Sequence, residues 1–309
     1  MAGQLDTELE AWRNRSLTET ADPYLSVDAR YEHVRQGGQI VSQGVLIVTG
    51  VRADGHREIL AVAVADTESE ATCHQLFGDL KARGLSGVRL VTSDDHRGLK
   101  AAIDRLFQGA SWNKCQAHLA RDLVKMVGAR RRGELAADLR EIFAATTRDL
   151  AIASAEAVAS RWEQTHPVVV RLLEDGVEDC LACLAFPLAH RARTRTTNGM
   201  ERLNDVIKRR TRVVRIFPNP EAYLRLVTAL CVEQSEEWVS GKRYLDKGDL
   251  HRKQTGGRAC GQGWVFADRA MIALSATQES ILKNALSSGP QRTLHGVKCP
   301  SDECPSDAR

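Results

Sequence analysis

Aspartates lie at two places in this sequence where a strand is predicted, although strands disfavour aspartate. Asp28 is on the polar side of the alternating run Tyr24–Tyr31, and Asp94 and Asp95 directly follow the β-branched run Val88–Ser93. If the two strands are parallel neighbours, their acids lie side by side and repel each other unless a cation separates them. Divalent cations such as Mg²⁺ bind carboxylate oxygens and support phosphoryl transfer. The pattern therefore predicts a metal-dependent phosphoryl-transfer site.

Two parts of this site stay open in the residue pattern. It does not separate Asp94 from Asp95, because either side chain could cap the next helix. It also does not select a third acid from the 40 acidic residues of the chain.

Basic residues concentrate between His190 and Ile216, where nine Arg and Lys residues accompany only Glu201 and Asp205. On a helix, Lys208 would share a face with Asp205 and with a further arginine at position 212. We favour contact with a phosphate backbone over a merely solvated helix, because cations beside a catalytic acid can hold a polyanion near it.

Cysteine and histidine spacing allows a zinc site. Cys115 and His118 form half of such a site, and Cys180 and Cys183 could complete it. The second pair lies in an apolar helical run, so we favour small core side chains over zinc ligands.

Strand and helix signals predict an α/β fold. Pro23 should end a short N-terminal helix, and three antiparallel strands should follow up to position 65. A β-α-β-α-β stretch comes next, which predicts a mixed sheet with helices over its faces. Residues 118–189 show helical spacing throughout and should form an all-helical insertion with Trp162 as a core anchor. Thr196, Thr197 and Asn198 are predicted to cap a helix that carries Glu201 in its first turn.

Bulk composition excludes several classes of protein. The 309 residues include 27% charged residues with a formal net charge of +3, and no stretch approaches the roughly 20 apolar residues that a membrane span needs. The beginning lacks a secretory pattern. Eight scattered cysteines favour reduced thiols, so we expect a cytoplasmic protein.

The segment Thr196–Asn219 closely resembles the signature of Mutator-type bacterial insertion-sequence transposases. Four further blocks agree in order and spacing, so the resemblance covers about residues 5–246: Tyr24–Arg35, Val91–Ala102, Trp112–His118 and Glu236–Leu245.

The resemblance implies a ribonuclease-H-like core, that is, a mixed sheet interrupted by an all-helical insertion. Carried over position by position, the acidic triad of this DDE family falls on Asp28, Asp94 and Glu201, as catalytic residues and metal ligands. The family's acid directly follows Ser, which favours Asp94 over Asp95. The Cys-x-x-His motif of the family gives supporting roles to the cysteine at 115 and to His118. The helix dipole is expected to help keep Glu201 ionised.

The implied reaction is metal-dependent cleavage of the phosphodiester at the end of a mobile element, followed by strand transfer to target DNA. Two Mg²⁺ ions, with Mn²⁺ as a substitute, would serve as cofactors. The partners would be the terminal inverted repeats, target DNA and a second copy in a homodimer, without a membrane, in a bacterial cytoplasm and associated with the nucleoid. The residues expected to contact DNA are Arg195, Arg202, Lys208, Arg209 and Arg212.

The expected organisation has five parts: a remnant helix in 1–22, the first part of the core in 23–118, the insertion in 119–195, the second part of the core in 196–249 and an irregular tail in 250–309. Family members usually carry an N-terminal region that recognises the element's ends, so we expect a truncated copy. One alternative is a catalytically silent remnant that binds DNA or full-length transposase. Another is a ribonuclease-H-like nuclease without a joining step.

Overall fold

A computed structural model describes residues 2–65 and 70–246 of the chain. The irregular tail predicted for 250–309 lies outside these residues. The strands are β1 Tyr24–Gln36, β2 Gln39–Val51, β3 Arg57–Ala65, β4 Leu90–Ser93, β5 Ser111–Lys114 and β6 Ile216–Phe217. The α-helices are α1 Ala2–Arg13, α2 Glu70–Ala82, α3 Arg97–Leu106, α4 Gln116–Lys125, α5 Arg132–Ala144, α6 Arg148–Trp162, α7 Pro167–Val177, α8 Leu188–Thr194, α9 Glu201–Val214 and α10 Pro220–Ser240.

The strands form one mixed sheet in the order β3-β2-β1-β4-β5, with β6 also paired to β1. β1, β2 and β3 form an antiparallel meander. β4 lies parallel to both β1 and β5, and β6 lies parallel to β1. The predicted mixed α/β sheet is therefore confirmed.

Helices cover both faces of the sheet because its strands carry apolar residues on both sides. On one face, Val27 belongs to a core that includes Phe77 of α2 and Ile103 of α3. On the other face, Val34 packs in a core with Tyr223 of α10 and with residues of α9. Full burial of side chains of this size contributes about 1.5–3 kcal/mol each.

Residues 116–194 contain α4 to α8 with short 3-10 segments, so the helical character predicted for the insertion at 119–195 is observed, and these helices have an apolar core of their own. Trp162 is 1% exposed in that core, which confirms its predicted role as an anchor. Its indole nitrogen donates a hydrogen bond of 2.7 Å to Asp138. A buried tryptophan N–H usually finds such a partner.

Two local predictions were wrong, and one element was not predicted. The first helix ends at Arg13, ten residues before Pro23, because Leu17 is buried in the core and its backbone N–H bonds to the carbonyl of Arg83. The predicted caps do not start α9 directly, since a 3-10 turn Asn198–Met200 precedes it. The two residues of β6 were not predicted, because so short a strand has no periodicity.

Among the helices of residues 2–65 and 70–246, none combines the length and the apolar character that a membrane span requires.

Asp22 is a buried acid outside the predicted site, with a side chain 1% exposed. Burial and repulsion from Glu58 and Asp54, only partly offset by Arg52 and Arg15, raise its pKa to about 7. The pKa of an aspartate in an unfolded chain is about 3.9. Because the fold favours the protonated form, this residue's contribution to stability is complete below pH ~4 and is lost as the pH rises to about 7.

We predict that Asp22→Asn removes this loss. The difference in unfolding free energy between variant and wild type should grow in the variant's favour by about 2.5 kcal/mol between pH 5 and pH 8. Urea denaturation at both pH values measures it. Asp104→Asn, on the exposed side of α3, is the control and should show no such growth. An equal gain for Asp22→Asn at both pH values would contradict the prediction.

Candidate active site

The parallel pairing of β1 with β4 puts Asp28 and Asp94 at the same level of the sheet. Residues 24–26 pair with residues 90–92. The same register, continued for two residues beyond the last pair, reaches Asp28 on β1 and Asp94 just after the end of β4. These two strands are therefore parallel neighbours, which is the condition under which the sequence pattern places the two acids side by side.

Both acids line one open cavity of about 160 Å³, together with His118 and His96. Asp94 is exposed, whereas Asp28 is half-buried. Burial raises the pKa of Asp28, and the nearby charge of Asp94 adds to this, while His118 and a hydrogen bond from Asn204 oppose it. The cavity therefore brings two acids close enough for each to affect the other's ionisation.

α9 contacts β1 between the residues that pair with β4 and those that pair with β6. Asn204 Nδ2 donates to Asp28 Oδ2 at 2.6 Å, and Thr211 Oγ1 donates to Glu32 Oε1 at 2.8 Å. Because both contacts advance in the same direction along the two elements, α9 runs alongside β1. Its first turn, which holds Glu201, therefore comes close to the Asp28 end of the cavity.

Glu201 does not line the cavity itself. Its carboxylate lies 3.7 Å from the guanidinium of Arg121. Burial raises the pKa of Glu201 to about 7, and Asp205 and Asp28 contribute, against the opposing charges of Arg121 and His118. The helix dipole was expected to favour the ionised form of Glu201, and burial and the neighbouring acids act in the opposite direction.

Cys115 fixes the segment that leads into α9. Its thiol accepts hydrogen bonds from the backbone N–H of Thr197 at 3.3 Å and from the Thr197 hydroxyl at 3.5 Å. The Gln116 N–H donates a hydrogen bond to the carbonyl of Arg195, and the Thr92 hydroxyl donates one to the carbonyl of Thr194. The start of α9 is thus tied to β4 and to the junction of β5 with α4.

Cys115 and His118 also interact with each other. Although burial opposes the shift, the hydrogen bond to Cys115 and the carboxylates of Asp94 and Asp28 raise the pKa of His118 to about 9. The same hydrogen bond lowers the pKa of the Cys115 thiol against the effect of burial. His118 therefore supplies positive charge close to both acids.

Asp95 has a different position from Asp94. Its carboxylate accepts a hydrogen bond of 2.6 Å from the Lys114 ammonium, and it is absent from the lining of the cavity. Asp94 therefore faces the cavity, and Asp95 forms an ion pair beside it.

Residues 2–65 and 70–246 contain no group of three or more His, Cys, Asp or Glu side chains arranged to hold a metal ion. Mg²⁺ often takes only one or two protein carboxylates and completes its shell with water and phosphate oxygens. Asp28 and Asp94, two oxygen donors on one cavity, meet that requirement.

The residues predicted to contact DNA divide into two groups. Arg202, Lys208, Arg209 and Arg212 are exposed along α9. Arg195 is half-buried, and it donates to the carbonyl of Phe143 at 3.2 Å. Its position therefore indicates a structural role at the base of the insertion.

Cys180 and Cys183 are buried, and each belongs to an apolar cluster. They lie where the insertion contacts the sheet. The Cys183 N–H bonds to the Asn113 side chain at 3.0 Å, and Gln116 Nε2 donates to the Cys180 carbonyl at 3.0 Å.

Sequence reasoning missed Asn204 and Arg121, which touch two of the predicted acids. Helical spacing was the signal that could have found them, because residues three positions apart are neighbours on a helix. Asn204 follows Glu201 by three positions, and Arg121 follows His118 by three.

Residues 1–241 match a family described as "Transposase, Mutator family". The chain is 44% identical over 246 residues to the transposase for insertion sequence element IS406 of Burkholderia multivorans, which covers 79% of this chain and 63% of the relative. It is 41% identical to the transposase for element ISRM5 of Rhizobium meliloti, over 81% of this chain and 63% of the relative. The transposase for element IS1081 of Mycobacterium tuberculosis is 39% identical over 90% of this chain and 63% of the relative.

The chain thus spans about 63% of the length of these relatives. A solved Drosophila P element transposase strand transfer complex aligns with 81% of this chain and 76% of its own, at 10% identity and a TM-score of 0.29. That score is too low to establish a shared fold.

We predict that Cys115→Ala destabilises the fold by about 1–3 kcal/mol, because the buried Thr197 N–H loses its acceptor. Urea denaturation measures the change. Cys231→Ala is the matched control, since Cys231 is equally buried and burial alone raises its pKa. It should lose packing only, and equal losses in the two variants would contradict an anchoring role for the Cys115 thiol.

Proposed function

This chain belongs to the Mutator family of transposases, and from that premise we propose that it catalyses metal-dependent DNA cleavage and strand transfer with Asp28, Asp94 and Glu201. The observation that carries the proposal is the shared level of the first two acids on neighbouring parallel strands, with the helix that bears Glu201 alongside. The charge of Asp94 acts on Asp28, and the charge of Asp28 acts on Glu201, although the three acids are far apart in the sequence.

We further propose that the core is ribonuclease-H-like. Three antiparallel strands followed by two parallel ones support this assignment. A helical insertion between β5 and α9 supports it as well, because α9 follows the insertion and contacts β1 through Asn204.

The donor set fits a hard divalent cation, Mg²⁺ or Mn²⁺. Asp28 and Asp94 would provide oxygen ligands at the cavity, and Glu201 would complete the set. The raised pKa of Asp28 and of Glu201, to about 7 for the latter, reflects acids that are buried near one another. Bound cations would activate the attacking oxygen and stabilise the leaving oxygen of the phosphodiester.

The chain's own residues would orient these ligands. Asn204 holds one oxygen of Asp28 at 2.6 Å, and the backbone N–H of Asp95 holds the carboxylate of Asp94 at 2.7 Å. Arg121 and His118 balance the negative charge of Glu201 and of the cavity. Such groups reduce the reorganisation that the reaction requires.

DNA would approach along α9. Lys208, Arg209 and Arg212 are exposed on the same helix as Glu201, so phosphates held by them would lie close to the acids. The terminal repeats, the target DNA and a homodimer remain predictions from the family resemblance.

We predict that Asp94→Asn and Glu201→Gln abolish Mn²⁺-dependent cleavage while DNA binding stays nearly unchanged, because each loses a metal-binding charge. The substrate would be supercoiled plasmid carrying the DNA that flanks the gene, with products separated on agarose gels. Asp95→Asn is the matched control and should retain cleavage, since Asp95 pairs with Lys114.

Loss of cleavage in Asp95→Asn, or retained cleavage in Glu201→Gln, would contradict the assignment of Asp28, Asp94 and Glu201 as the catalytic acids. Shifted DNA without nicks in the wild type would favour the silent remnant that only binds DNA. Nicks without joined products would favour the nuclease.

We also predict that Lys208→Gln with Arg212→Gln flattens the salt dependence of DNA binding. Each lost phosphate contact reduces the slope of log K against log salt by about 0.9, so the double variant should lose roughly 2. Fluorescence anisotropy at several salt concentrations measures the slope. Arg195→Gln is the control and should leave it unchanged, because Arg195 bonds to the Phe143 carbonyl.

A further inference from the structure

The segment before Glu201 has a second anchor besides Cys115. Arg57 on β3 donates a hydrogen bond from Nη1 to the carbonyl of Gly199 at 2.5 Å. Gly199 lies two residues before Glu201, within the 3-10 turn that starts α9. A displacement of this carbonyl would therefore move the first turn of the helix that carries the acid.

Two aromatic rings hold Arg57 in place. Its guanidinium carbon lies 3.4 Å from the ring centroid of Trp238 on α10 and 4.6 Å from that of Tyr244. Stacking of a guanidinium on aromatic faces contributes about 0.5–2 kcal/mol per contact. The arginine is thus restrained on both sides before it reaches the Gly199 carbonyl.

Gly199 permits this close approach. A Cβ at this position would lie 2.7 Å from the Tyr244 hydroxyl and 2.8 Å from Arg57 Nη1. Any larger residue would therefore push both side chains away from the turn.

Tyr244 is itself fixed to the turn between β2 and β3. The N–H groups of Tyr244 and Leu245 both bond to the carbonyl of Gly55, at 2.8 and 3.1 Å. Gly55 has a φ of +91°, and a Cβ there would meet the Leu245 carbonyl. The segment after α10 is thus part of the support for the Glu201 turn.

We propose that Arg57, clamped between Trp238 and Tyr244, is a positioning residue that sets the place of Glu201 through the Gly199 carbonyl. The inference rests on the proposed metal-binding role of Glu201. Residues outside the ligand shell that orient ligands typically change metal affinity by about 10–100-fold.

The test is a Mn²⁺-binding titration of the whole chain, followed by the electron paramagnetic resonance signal of free Mn²⁺. Glu201→Gln should weaken binding, and Arg57→Met should weaken it by about tenfold or more. The double variant should bind no more weakly than Glu201→Gln alone, because Arg57 acts through Glu201 and the two effects are not additive.

Arg15→Met is the matched control. Arg15 also stacks on a tryptophan, at 4.3 Å from the Trp12 ring, and donates to a backbone carbonyl of β3, that of Ile59, at 2.6 Å. It has no link to the Glu201 turn, so its loss should leave Mn²⁺ affinity unchanged. Weakening equal to that of Arg57→Met would overturn the proposal.

Gly199→Ala provides a second perturbation, since it disturbs the same contact through the ends of two side chains. It should weaken Mn²⁺ binding as Arg57→Met does.

If Glu201→Gln weakens binding but Arg57→Met and Gly199→Ala do not, the positioning role is wrong and the metal site stands. Additive losses in the double variant would also overturn it. If Glu201→Gln leaves Mn²⁺ binding unchanged, the proposed metal role of Glu201 fails, and the positioning role with it.

Discussion

The carboxylates of Asp28 and Asp94 lie at the same level of neighbouring strands and repel each other. The structure around the site depends on this repulsion. The pairing of β1 with β4 brings Asp28 and Asp94 together, and the fold adds Glu201 nearby instead of separating the charges. Like charges in a partly buried place raise each other's pKa unless cations compensate them. His118 and Arg121 provide part of that compensation, and we propose that a divalent ion provides the rest.

The surroundings of these acids are anchored at several points. Cys115 holds Thr197 on one part of the segment before α9, and Arg57 holds Gly199 two residues later. Asn204 then fixes the helix to Asp28. Hydrogen bonds of this kind contribute only about 0.5–1.5 kcal/mol each to stability. Their larger effect is on position, because each one removes a direction in which Glu201 could move.

The helical insertion separates two parts of the core in sequence without separating them in space. It has its own apolar core around Trp162, and it joins the sheet through Asn113 and Gln116 of the β5–α4 region. A unit that buries its own apolar surface leaves the sheet's packing intact. This explains how α9 can contact β1 although the insertion separates the two elements in the sequence.

The sequence by itself determined the meander, the helical character of the insertion and the location of Asp28 at the polar side of a strand, because period and turn residues are local signals. The residue pattern alone did not separate Asp94 from Asp95, since both follow the same strand, and only the family resemblance favoured Asp94. In the structure, Lys114 of β5 pairs with Asp95. The two-residue strand β6, the raised pKa of Glu201 and the role of Asn204 were decided only by tertiary structure. Each depends on burial or on contacts between residues that are distant in the chain, and no local pattern carries that information.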